Sequence, residues 1–251
     1  VFTECMQHPI LRSMNIILFD ELPAGMLLAN NDFRAEHIRK VLRLQVGDTF
    51  SMGIVNGPGG IATIEAMDST GITFGWQPRE DRSLLTGVTL LVAQVRPICM
   101  KRILREAVSL GVAELLVVGA DTAERSYADA KLWSTGEYRK YLLDGAMQSG
   151  QTGMPSFRLV EHVETALADS DKWKTKILMD NVLAGDPLSL MEDPEAPLVV
   201  AVGPERGWTE RERTLFLDHG FVPKSMGSRI LRTETACSAA LAIVLGRMGM
   251  L

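Results

Sequence analysis

The chain has 251 residues, 46% hydrophobic and 23% charged, with 22 Gly, 11 Pro and a formal net charge of −5. These values exclude collagen-like, mucin-like and fully disordered chains, and the length allows one large domain or two smaller ones without covalent staples. A net-negative chain is not a wholly electrostatic nucleic-acid binder, so any contact with nucleic acid must come from local basic patches.

The three cysteines, Cys5, Cys99 and Cys237, are widely spaced and odd in number, which fits neither a disulfide framework nor a CxxC knuckle. The four histidines, His8, His37, His162 and His219, are scattered and form no HExxH, so no metal site is expected. No apolar run reaches the ~18 residues of a membrane span. Residues 1–13 lack the layout of a secretory signal, and Met14 ahead of an apolar run looks like a natural start. The expectation is a cytoplasmic chain with 1–13 as a possible tail.

In chain order, residues 15–19, 48–55, 60–67 and 71–77 read as short strands. Turn chemistry separates the later ones, at Asn56-Gly57-Pro58-Gly59-Gly60 and Asp68-Ser69-Thr70-Gly71. Strands at this spacing suggest a small barrel or sandwich. One amphipathic helix at 32–44 interrupts them, with Ile38, Val41 and Leu42 at helical spacing and Arg34, Arg39, Lys40 and Arg43 elsewhere. The charged stretch 78–83 reads as a linker.

Beyond it the grammar changes to apolar runs alternating with helices. Strands are expected at 88–95, 114–118, 176–179, 198–202 and 222–226, and helices at 101–110, 133–147, 162–170, 210–219 and 235–248. This alternation predicts a parallel, helix-covered α/β sheet. Chemistry concentrates between 198 and 236. The run at 198–202 feeds Gly203-Pro204-Glu205-Arg206-Gly207, and Thr209 through Glu212 fits a capping box, so this loop leaves the carboxyl end of a strand, where open α/β sheets place ligands. Further on, Arg229 and Arg232 flank Ile230-Leu231 ahead of a helix, an anion-attracting arrangement unless nearby acids such as Glu205 or Glu234 pair with them. The chain has neither GxGxxG nor GxxxxGK[ST], which weakens dinucleotide and P-loop readings.

Gly203 through Gly207 and the stretch from Met226-Gly227-Ser228-Arg229 through Ile230-Leu231-Arg232-Thr233-Glu234-Thr235-Ala236 closely resemble the paired signatures of the ribosomal small subunit methyltransferase E family, within the SPOUT superfamily. His37-Ile38-Arg39-Lys40-Val41-Leu42-Arg43 with Val46-Gly47-Asp48, the helix opening at Lys101, and Gln148-Ser149 with Pro155 fit the same family. The resemblance implies a PUA-like β-barrel domain over 1–80 and a trefoil-knotted SPOUT α/β domain over 81–251. It implies methyl transfer from S-adenosylmethionine to uridine N3 of 16S ribosomal RNA, alone or in the small ribosomal subunit, by a homodimer. The implied cofactor residues are Leu178, Asp180, Val202, Gly203, Pro204, Glu205, Gly207, Met226, Gly227, Arg229, Ile230, Leu231 and Thr233. Arg232 would stabilise the imide anion and Glu205 would accept the proton. RNA contacts would come from Arg34, His37, Arg39, Lys40 and Arg43, and from Arg96, Lys101 and Arg102. The sequence departs from the family pattern twice. Arg206 replaces a glycine, which would be strained at a positive φ, and Gly150-Gln151 stand where an arginine is usual. Competing readings keep the fold as a non-catalytic assembly factor, or direct methyl transfer to another RNA.

Overall fold

The computed structural model describes residues 15–79, 85–183 and 185–251, which form two compact units. One comprises the described part of Val1–Arg82 with Met147–Thr152, and the other Ser83–Ala146 with Gly153–Leu251. The expected tail at 1–13, and all of the expected linker except Pro78 and Arg79, lie outside the described residues.

The first unit is a five-stranded mixed sheet of β1 (Ile17–Phe19), β2 (Leu27–Ala29), β3 (Thr49–Ile54), β4 (Gly59–Met67) and β5 (Gly71–Pro78), in the order β1-β3-β4-β5-β2. β1 pairs parallel with β3 and the other pairs are antiparallel. Alternation puts Phe50, Met52, Ala62, Ile64, Ile72 and Phe74 into one buried cluster. The three-residue β2 is too short to show a period and is not anticipated by the sequence. The Asp68 carboxylate closes the β4–β5 turn by accepting from the N–H groups of Thr70 (2.7 Å) and Gly71 (3.2 Å). Residues 147–152 join this unit through main-chain bonds, from Ile16 N–H to the Met147 carbonyl (3.1 Å) and from Asn56 N–H to the Thr152 carbonyl (2.8 Å).

The expected helix at 32–44 starts as α1 (Phe33–Glu36), whose N-cap Asp32 accepts from Arg34 N–H at 2.8 Å. It then widens into a π-helical turn over His37–Leu42, closed at Arg43 with φ 55°.

The second unit is a wholly parallel seven-stranded sheet. Its strands are β6 (Val88–Ala93), β7 (Glu114–Val118), β8 (Ser156–Val160), β9 (Thr175–Met179), β10 (Asp186–Pro187), β11 (Leu198–Val202) and β12 (Val222–Ser225), in the order β10-β12-β9-β11-β6-β7-β8. β6, β7 and β11 are buried along their whole length, which explains their unbroken apolar sequences. Helix α2 (Pro97–Ser109) starts earlier than the sequence suggests, with Pro97 in the first turn. The helix expected at 133–147 is two, α3 (Lys131–Ser134) and α4 (Tyr138–Ser149), broken at Gly136 with φ 72°. Side chains of α5 (Val163–Leu167) and α6 (Glu210–Asp218) pack with alternate residues of β6, β7 and β11 in one cluster. The remaining helix, α7 (Thr233–Arg247), packs on α2, β6 and β11.

The strand register levels one edge of this sheet. Lys224 pairs with Met179, Met179 with Val202, Val202 with Val92, and Val92 with Val117. The carboxyl ends of five strands therefore form one row, and five loops leave from the same edge. Two of those loops are locked together by a fully buried carboxylate. Glu212 completes the expected capping box, accepting from Thr209 N–H at 2.7 Å, and also accepts from Asp121 N–H at 2.8 Å in the loop after β7. Arg211 grips Asp121 through Nη2 (2.7 Å) and Nε (3.0 Å).

Glu212→Ala leaves the Thr209 and Asp121 N–H groups without their acceptor and should cost about 3 kcal/mol, read as a lowered denaturant midpoint at unchanged slope. The Arg211 guanidinium holds the Asp121 carboxyl below the usual carboxylate range. Its contribution is therefore fully present above about pH 4 and is lost as pH falls through the lowered folded value. Thermal melts of wild type and Asp121→Asn should differ at pH 7 and converge at strongly acid pH.

Candidate active site

A cavity of about 1100 Å³ opens over the row of strand ends in the second unit. It is lined by the loops that leave β6, β7, β9, β11 and β12. The edge is the one where parallel α/β sheets hold ligands, because loop backbone and helix N-termini converge there.

The loop after β11 is a four-residue turn, closed from Gly207 N–H to the Pro204 carbonyl at 2.9 Å. Gly207 takes the positive φ (70°) and Arg206 does not, so the arginine is unstrained and adds an exposed charge to the cavity wall. Thr122 Oγ1 donates to the Gly207 carbonyl at 2.8 Å, and Thr233 Oγ1 to the Gly203 carbonyl at 3.3 Å. A side chain at Gly203 would press on the Trp208 indole, 3.1 Å from Nε1, so glycine lets the loop backbone lie flat on Trp208. That indole Nε1 is buried and has no hydrogen-bond partner, although Trp208 borders the cavity.

The loop after β9 is shaped by Asp180. Its Oδ1 accepts from the N–H groups of Val182 and Leu183, each at 2.7 Å, and its Oδ2 takes Arg213 Nε at 2.9 Å. Asp180 borders the cavity, but its carboxylate is occupied in holding this loop. Leu178 lies one residue deeper. It is fully buried in β9 with the apolar cluster, and the wall at that level is Met179, Leu183, Val202 and Leu231 instead.

The loop after β12 brings Met226, Gly227, Arg229, Ile230, Leu231 and Arg232 to the cavity, with Ile230 86% exposed. Arg232 is the N-cap of α7. Among the described residues no acid lies within ion-pair distance of Arg229 or Arg232, while Glu234 is 3.7 Å from Arg102 and Glu205 accepts from Arg96 N–H at 3.5 Å. Neither guanidinium is neutralised by a described acid. Cys99 also borders the cavity, but burial and the Glu234 carboxylate push its thiol pKa up, so it offers no thiolate nucleophile. Among the described residues no group of three or more His, Cys, Asp or Glu is placed to hold a metal ion, and no helix is long and apolar enough to cross a membrane.

The basic residues expected to meet RNA divide into engaged and free. Arg34 is turned inward, paired with Asp32 at 2.6 Å, donating to the Leu18 carbonyl and lying 4.2 Å over the Phe19 ring. Arg39 donates to Asn30 and to the Gly71 carbonyl, and Lys40 pairs with Glu36 at 2.7 Å on the surface. His37 Nε2 is buried without a partner. Arg43 is exposed, with no described acid within ion-pair distance. In the second unit Lys101 pairs with Glu137 at 2.8 Å and Arg102 with Glu234, whereas Arg96 is exposed at the cavity, its Nε 3.4 Å from Tyr127 Oη. Thr122, Glu124 and Tyr127, which no sequence motif singles out, complete the wall. They follow a strand that ends on the same row as β6 and β11, which only the register reveals.

Comparison with known proteins bears on this geometry. The model of the RNA methyltransferase domain family matches residues 82–245. A ribosomal RNA small subunit methyltransferase E from Treponema pallidum (strain Nichols) is 36% identical over 241 residues, covering 92% of this chain and 91% of the relative. A ribosomal RNA small subunit methyltransferase E 1 from Borreliella burgdorferi is 30% identical over 94% of this chain and 98% of its own length. A crystal structure of a ribosomal RNA small subunit methyltransferase E from Neisseria gonorrhoeae, bound to S-adenosyl methionine, has the same fold. It superposes with a TM-score of 0.77 at 24% identity, covering 93% of this chain and 97% of that one. By fold, by motif and by similarity along most of its length, the chain belongs to the ribosomal RNA small subunit methyltransferase E family.

Proposed function

We propose that the chain methylates small-subunit ribosomal RNA at N3 of a uridine in 16S RNA, with S-adenosylmethionine as donor and the cavity over the strand ends as its site. The observation that carries this is the convergence on one cavity of the loops after β9, β11 and β12, with two arginines among them that no described acid pairs. The second unit is proposed to be a trefoil-knotted SPOUT domain. In support, β12 inserts between β9 and β10 while α7 returns to β6 and β11. The mixed sheet of the first unit is proposed to be a PUA-like barrel.

The residues present suit the donor. Met179, Val202 and Leu231 give apolar walls to an adenine ring, and the loop backbone at Gly203, Met226, Ile230 and Leu231 offers main-chain donors and acceptors. The buried, unpartnered Trp208 N–H marks a polar group left over by the protein's own contacts. When bound, S-adenosylmethionine supplies an electrophilic methyl group on a positively charged sulfur. Uridine N3 must lose its proton to accept that group. Glu205, exposed on the cavity wall, is the proposed acceptor of the proton. Arginine keeps its proton at any working pH, so Arg232 acts by holding positive charge beside the imide anion, assisted by the N-terminus of α7. Asp180, Arg213, Thr122 and Thr233 fix the loops so that this charge is in place beforehand. The exposed Arg43 and Arg96 are the proposed phosphate contacts, which position RNA without reading its sequence. A homodimer and a cytoplasmic location complete the proposal.

Arg232→Ala should lower kcat by about 10²-fold or more and leave the dissociation constant for S-adenosylmethionine nearly unchanged. Single-turnover methylation and calorimetric titration separate the two, and an equal loss of both would reassign Arg232 to cofactor binding. Mass spectrometry of ribosomal RNA from a deletion strain should show one missing methyl group, restored by the wild-type gene and not by the Arg232→Ala form.

A further inference from the structure

The cavity has a further side beyond the three loops assigned to the cofactor. It is made by the loops after β6 and β7, which are tied to the loop after β11 by Arg96 N–H on Glu205 and by Thr122 Oγ1 on the Gly207 carbonyl. On it stand Arg96, Glu124 and Tyr127, with Arg206 contributing from the loop after β11.

Tyr127 is held firmly. Its carbonyl accepts from the Trp133 indole N–H at 2.9 Å, and Trp133 stacks on Phe157 of β8, ring centroids 5.9 Å apart and planes 21° apart. Its own N–H donates to the Glu124 carbonyl at 2.9 Å. The Tyr127 ring remains partly exposed, and its hydroxyl meets Arg96 Nε at 3.4 Å. Arg96 has its backbone N–H on Glu205 but no described acid within ion-pair distance of its guanidinium, and the same is true of the Arg206 guanidinium. Glu124 and Glu205 lie near enough to act on the Arg96 charge without forming an ion pair with it. An anchored aromatic face in one cavity with two guanidinium groups that no described acid pairs is the combination that takes a base by stacking and its phosphates by charge.

We infer that this wall seats a single nucleotide turned out of its RNA strand. The base packs on Tyr127, and Arg96 and Arg206 take the flanking phosphates. Chemistry on a base edge requires access that a stacked strand denies, so the target nucleotide must leave the stack to reach a methyl donor over the strand ends. Tyr127 and Arg96 contact the substrate directly in this scheme. The hydroxyl of Tyr127 orients the guanidinium, and the ring fixes the plane of the base. The inference rests on the proposal that the chain acts on RNA.

The test uses the full chain with 16S ribosomal RNA and, in a second arm, the small ribosomal subunit. Wild type, Tyr127→Leu, Tyr127→Phe and Arg96→Gln are compared for the rate of methyl transfer, for RNA affinity with S-adenosylhomocysteine present, and for S-adenosylmethionine affinity. Tyr127→Leu and Arg96→Gln should each raise KM for RNA and weaken RNA binding by about tenfold, with S-adenosylmethionine affinity within about twofold of wild type. Tyr127→Phe keeps the ring but loses the hydroxyl that orients Arg96, and should fall between wild type and Tyr127→Leu. RNA parameters unchanged in both Tyr127→Leu and Arg96→Gln would overturn the inference while leaving the proposed function intact, as would a loss confined to S-adenosylmethionine affinity. A wild-type chain that transfers no methyl group to either RNA would remove the functional proposal, and this inference with it.

Discussion

The parallel register of β11 between β9 and β6 is the constraint on which the rest of the second unit depends. Main-chain pairing of Val202 with both Met179 and Val92 aligns strand ends that lie far apart in the chain. Once those ends are level, the loops that leave them have nowhere to go but over one edge of the sheet. A one-residue slip of β11 would turn Val199 and Ala201 away from α5 and α6 and would also move Gly203 off Trp208. Packing and site geometry are thus fixed by the same hydrogen bonds.

The loops themselves are held by polar groups that have little to do with a ligand. Glu212 ties the turn before α6 to the loop after β7, Asp180 and Arg213 hold the loop after β9, and Thr233 binds the start of α7 to Gly203. These side chains are consumed in building the site. Among the described residues, no acid pairs with Arg229, Arg232 or Arg206, and the buried Trp208 N–H has no acceptor. On the proposed reading this division is the source of catalysis, because charges that need no rearrangement are available to the developing anion from the start.

Much of this was legible in the chain. The strands at 114–118 and 198–202 appear in the structure with the bounds expected from their apolar runs, and the Thr209–Glu212 capping box forms as its spacing predicts. The edge strand β8 was not legible, because its half-exposed side chains give no clear period. Nor was the break at Gly136, since a glycine inside an otherwise helical stretch is ambiguous until its φ is known. At the site, motif resemblance marked the loops after β11 and β12, but it did not reveal that the Leu178 side chain lies a level below the cavity wall or that the Asp180 carboxylate holds its own loop. Composition likewise could not show which basic residues are paired. Arg34, Lys101 and Arg102 look free in sequence and are paired in space, because their partners Asp32, Glu137 and Glu234 can be assigned only from coordinates. The Tyr127 wall carries no motif and emerges only from the alignment of strand ends.

Hydrogen exchange of the full chain with and without S-adenosylmethionine tests the central claim most directly. If one level row of strand ends builds one cofactor site, the donor should slow exchange together in the segments after β9, β11 and β12. The helical faces of α5 and the sheet of the first unit should stay unchanged. Protection of only one of the three segments, or of none, would contradict the account.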